Sequence, residues 1–115
     1  MFYFKHPKRR RVGNLDYRLD PETTGKWVVY GNRSYIGKLW KKTREHVKTG
    51  VLYEIKFTRC SRGNYALLVY ADKETKDRFY EFLRDLELDP IWISNLYTRR
   101  IRKINGLLKK VSFGF

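Results

Sequence analysis

The chain has 115 residues, 26 of them lysine or arginine and 12 aspartate or glutamate, for a formal charge of +14. Hydrophobic residues make up 42% and aromatics 17%, which is enough apolar material for a buried core and excludes a disordered basic tail. The length leaves no room for a second core, so residues 1–115 read as a single domain.

Self-repulsion at this charge disfavours the compact state unless a polyanion neutralises it, which puts nucleic acid first among the expected partners. A phosphorylated protein is the second. No segment approaches the roughly 20 apolar residues of a membrane span, so no membrane is expected as a partner. Cys60 is the sole cysteine, which rules out an internal disulfide and a paired-cysteine metal clip and agrees with a reducing, cytoplasmic setting. Residues 1–20 read as a basic arm or edge strand carrying Lys8, Arg9, Arg10 and Arg11, without the apolar stretch of a signal peptide.

Residues 26–95 read as an α+β core. Turn chemistry at Asp20-Pro21 and Thr23-Thr24-Gly25 precedes a β-branched and aromatic run, Lys26-Trp27-Val28-Val29-Tyr30, which predicts a strand closed by Gly31-Asn32. Ser34 is the expected N-cap of a helix in which Ile36, Leu39, Trp40, Thr43 and Val47 recur at helical spacing. Gly50 supplies its left-handed stop. From Val51 the period becomes two, with Val51, Tyr53, Ile55 and Phe57 on one face and Glu54, Lys56 and Thr58 on the other. A basic connection bearing Arg59, Cys60 and Arg62 leads to a near-continuous apolar strand over 65–70. Asp72 is the expected cap of a second helix whose stripe is Phe79, Phe82, Leu83 and Leu86, with Glu74, Asp77, Glu81, Asp85 and Glu87 on its solvent side. Ile91-Trp92-Ile93 follows as a short strand. Residues 96–115 form a basic extension without acids, readable as a helix broken at Gly106 or as two short strands.

The order β-α-β-β-α-β is the split βαβ pattern, which predicts an antiparallel sheet with two helices on one face, ferredoxin-like or eIF4E-like, and the other face free to bind. On such a face Trp27, Tyr65 or Trp92 would serve as stacking platforms for bases, although each also reads as core filling. Lys26, Lys56, Arg59, Arg62, Arg99, Arg100 and Arg102 are the candidate phosphate contacts. His6 and His46 are too few for a zinc site, and His46 near a helix end suits a surface role. No histidine marks Cys60 as a nucleophile. No cofactor is implied.

Two resemblances add to this. Arg62-Gly63-Asn64-Tyr65-Ala66-Leu67-Leu68-Val69-Tyr70 resembles the RNP1 strand of RNA-recognition motifs, and Val28-Val29-Tyr30-Gly31-Asn32 faintly resembles RNP2. The inserted Asn64 shifts the alternation, however, and Leu67 stands where a second stacking aromatic is expected. Thr24-Gly25-Lys26-Trp27, Trp40, Gly50, Lys56 and Leu68-Val69-Tyr70-Ala71-Asp72 resemble, in order, the Bles03 family and its archaeal relatives labelled phosphothreonine-lyase-domain proteins. The likeness covers about residues 20–100. It implies a curved antiparallel sheet backed by helices, as in the cap-binding initiation factor. It also implies cofactor-free β-elimination of phosphate, with Lys26 matching the family's strand lysine and Lys56 and Arg99 binding phosphate. Val28 occupies the place of the family's histidine, so binding without turnover is the simpler expectation. A structural or protein-interaction domain is the third reading.

Overall fold

A computed structural model describes residues 2–8 and 20–113, with 106–113 described as backbone alone. Arg9, Arg10 and Arg11, and the side chains of Lys109 and Lys110, lie outside the described residues. The elements run β1 (Phe2–Lys5), β2 (Gly25–Gly31), α1 (Arg33–Lys48), β3 (Glu54–Ser61), β4 (Asn64–Ala71), α2 (Lys76–Asp85), β5 (Ile91–Ser94) and α3 (Asn95–Phe113). All five strands join one antiparallel sheet in the order β1-β3-β4-β2-β5. The fold is therefore α+β: among the described residues, a five-stranded antiparallel sheet with three helices.

Strand alternation assigns the two sheet faces. Trp27 and Val29 of β2, Ile55 and Phe57 of β3, and Leu67, Val69 and Ala71 of β4 form one buried cluster with Ile36, Trp40 and Val47 of α1 and Phe79 and Leu83 of α2. Full burial of each large member contributes about 2 to 3 kcal/mol. The intervening residues point the other way, and there Val28, Ala66, Leu68 and Tyr70 form a smaller buried cluster with Ile93 against it. Because this patch is buried and α3 begins over β2 and β5, the second face is not the bare platform that two helices alone would leave.

Local chemistry moves several boundaries. Asn32, not Ser34, caps α1: its side-chain oxygen accepts from Tyr35 N–H at 2.8 Å. Strand β3 starts three residues later than the period suggests, because Val51 and Leu52 N–H both donate to His46 C=O, at 2.9 and 3.1 Å, and close the end of α1. Gly50 sits at φ +83°, as its place in that turn requires. Asp72 does not cap α2 directly. Its carboxylate accepts from Glu74 N–H and Thr75 N–H, both at 3.0 Å, in a turn that delays the helix until after Thr75. The 96–115 extension is the 19-residue helix α3, continuous through Gly106.

Candidate anion site beneath the third helix

Helix α3 is pinned where it leaves the sheet. Thr24 N–H donates to Asp20 C=O at 3.0 Å and the Thr24 hydroxyl to the same oxygen at 2.6 Å, which folds residues 20–24 into a tight turn. Asn95, fully buried, donates from its backbone N–H to Thr24 C=O at 2.8 Å and from Nδ2 to Thr24 Oγ1 at 3.1 Å. Leu96 N–H donates to Pro21 C=O at 2.8 Å. Gly25 completes the joint: a Cβ there would lie 2.5 Å from Ile93 C=O and 2.8 Å from Ser94 Cα, so β2 can approach β5 this closely only without a side chain.

The next residue is Lys26, which alternation turns away from the main core and under α3. It is only 6% exposed, and its amine donates to Thr98 Oγ1 at 2.8 Å. The Thr98 hydroxyl in turn donates to Ser94 C=O at 3.2 Å, so one side chain satisfies both. Lys56 projects from the same face, with β4 between the two lysines: Lys26 is in register with Tyr70 and Lys56 with Leu68. Arg102 stands one helical turn beyond Thr98 on α3. Burial pushes the Lys26 amine down from its ordinary 10.5 to about 8, and the Arg102 and Lys56 cations add to the shift. Beside this group, Tyr3 donates its hydroxyl to the fully buried Glu54 at 2.6 Å. Thr98, Asn95, Glu54 and Tyr3 were not singled out in the sequence. Only Glu54 left a signal, as a member of the polar set in β3.

The candidate phosphate contacts thus divide. Lys26, Lys56 and Arg102 come together. Arg99, half-buried, and Arg100, exposed, lie on the same helix. Arg59 and Arg62 are exposed at the β3–β4 hairpin. That hairpin is at the far end of β4 from Tyr70, about 20 Å away at the usual rise per strand residue.

The candidate stacking residues lie on the opposite face from Lys26. Trp27 is buried in the helix-packed core, its indole N–H donating to Lys76 C=O at 2.8 Å and its ring 5.1 Å from that of Trp92. Trp92 is itself covered by the Lys76 amine, 4.6 Å from the ring centre. Tyr65 stacks on Phe57 at 5.7 Å. None of the three rings is presented beside the Lys26 group. Exposed aromatics on its side of the molecule include Tyr30 of β2, Tyr3 of β1 and Tyr97, the last in the first turns of α3 and followed at helical spacing by exposed Ile101 and Ile104.

Among the described residues no group of histidine, cysteine or carboxylate side chains is arranged to hold a metal ion, and no helix is long and apolar enough to cross a membrane. Comparisons with protein-family models, with curated proteins and with solved structures each found no match.

Proposed function

We propose that this chain is a binding module for a polyanion, with nucleic acid as the partner, and that it acts without turnover. The observation that carries this reading is α3: a 19-residue helix with no acid along its length, exposing Arg100, Arg102 and Lys103, and rooted beside Lys26 and Lys56. Cations gathered along one helix and the strand face beneath it follow a phosphate backbone better than scattered surface charge would. The exposed stripe of Tyr97, Ile101 and Ile104 supplies apolar contact for bases or sugars next to those cations. Fluorescence anisotropy with a labelled single-stranded oligonucleotide tests it. Binding should weaken steeply between about 50 and 200 mM salt, and the Arg100→Gln/Lys103→Gln double variant should lower the log–log slope by about 1.4. No binding at the lower salt refutes the reading.

One observation favours a second reading, a phosphothreonine-lyase-like enzyme. The resemblance matches Lys26 to the family's strand lysine, and burial that brings its amine down to about 8 suits it to act as the base. In such a reaction the amine removes the α-proton, the Cβ–O bond breaks, and phosphate leaves with the bonding pair beside Lys56 and Arg102. Val28, at the place of the family's histidine, is packed in the small apolar cluster and offers no proton to the leaving group. A phosphothreonine peptide incubated with the protein should lose the mass of phosphoric acid if this reading holds, and should not do so with Lys26→Ala. An unchanged peptide mass leaves binding alone.

A further inference from the structure

The cations on α3 and those beneath it differ in what can reach them. Arg100 and Lys103 stand in solvent, where a phosphodiester inside a strand can meet them from the side. Lys26 is buried, and Thr98 is its one hydrogen-bond partner among the described residues, which leave two of its three ammonium hydrogens unmatched. Lys56, half-buried on the same face, has no hydrogen-bond or ion-pair partner among the described residues. An internal diester carries a single negative charge and a chain leaving in both directions, and it cannot approach a buried amine without drawing both arms with it. A terminal phosphomonoester has one ester bond, three free oxygens and nearly two charges at neutral pH. Its charge also suits a site where two lysines and an arginine converge better than a single charge does.

We propose that Lys26, Lys56 and Arg102 receive the terminal phosphate of a nucleic-acid strand whose following diesters run along α3. It rests on the nucleic-acid reading above and deepens it by naming the end of the strand as the feature recognised.

The full chain is titrated at pH 7 with one short single-stranded oligonucleotide in three forms: 5′-phosphorylated, 3′-phosphorylated, and with hydroxyls at both ends. One phosphorylated form should bind about tenfold more tightly than the hydroxyl form. Lys56→Gln should bring that ratio close to one, because the half-buried lysine acts on the end group. Arg100→Gln/Lys103→Gln should weaken both forms by the same factor and preserve the ratio. Circular dichroism checks that each variant is folded. Equal affinity for all three forms overturns the terminal-phosphate proposal and leaves nucleic-acid binding standing. Failure of all three to bind overturns both.

Discussion

Lys26→Met tests whether the buried amine is held in place at a cost to stability. In the unfolded chain this lysine titrates at its ordinary 10.5, and in the fold burial, Arg102 and Lys56 bring it down to about 8. Below about pH 8 the amine is charged in both states, and the fold bears the whole cost of keeping a charged amine in that place. Above pH 8 the folded amine releases its proton while the unfolded one keeps it. Stability therefore rises with pH between about 8 and 10.5, by up to 1.36 kcal/mol per unit. The full shift corresponds to about 3 kcal/mol, and water reaching the amine screens this to about 2. Loss of the bond to Thr98 returns about 1. Lys26→Met, of similar length and apolar, should thus stabilise the fold at pH 7 by about 1 kcal/mol or more, and its advantage should shrink by about 1 to 2 kcal/mol at pH 9.5. Urea unfolding of both proteins at the two pH values measures this, since every other titrating group cancels in the difference. A variant less stable than the wild type at pH 7, or an advantage unchanged at pH 9.5, refutes the reasoning.

Two further substitutions probe the joint that sets α3 over Lys26. Gly25→Ala places a methyl 2.5 Å from Ile93 C=O, a backbone atom that cannot swing away, and should cost about 2 to 4 kcal/mol or detach β5 from β2; an unchanged urea midpoint counts against the close approach. Asn95→Ala removes the Nδ2 bond to Thr24 from a fully buried position and should cost about 1 to 3 kcal/mol, with faster amide hydrogen exchange at Leu96 as its local sign. Exchange at Leu96 equal to wild type would show that the side chain does not hold the helix start.

What could be read along the chain was whatever depends on neighbours in sequence. The spacing of Ile36, Trp40, Thr43 and Val47 announces α1, the alternation of 53–58 announces β3, and Phe79 and Leu83 mark the inward stripe of α2. Gly50 marks a left-handed turn because little else tolerates that backbone. The antiparallel α+β fold follows from this order of elements. Capping was less legible: Asn32 and Ser34 are both competent, and the choice depends on which oxygen reaches a free N–H.

The candidate site was legible only as a list of basic residues. A period of two says that Lys26 and Val28 share a face, and Trp27 and Val29 the other, but not which face the helices cover. The pairing of β2 with both β4 and β5 decides that, sending Trp27 into the core and Lys26 under α3. Bringing residues 26, 56 and 102 together requires the strand order β3-β4-β2 and the seating of the start of α3 over β2 and β5, both set by tertiary contacts. Residue order and spacing establish a small, basic α+β domain with its charge on the N-terminal arm, α1, the 59–62 connection and the C-terminal extension. That Lys26 of β2 is buried follows from the tertiary fold alone, because burial depends on what lies above a residue and not on what precedes it.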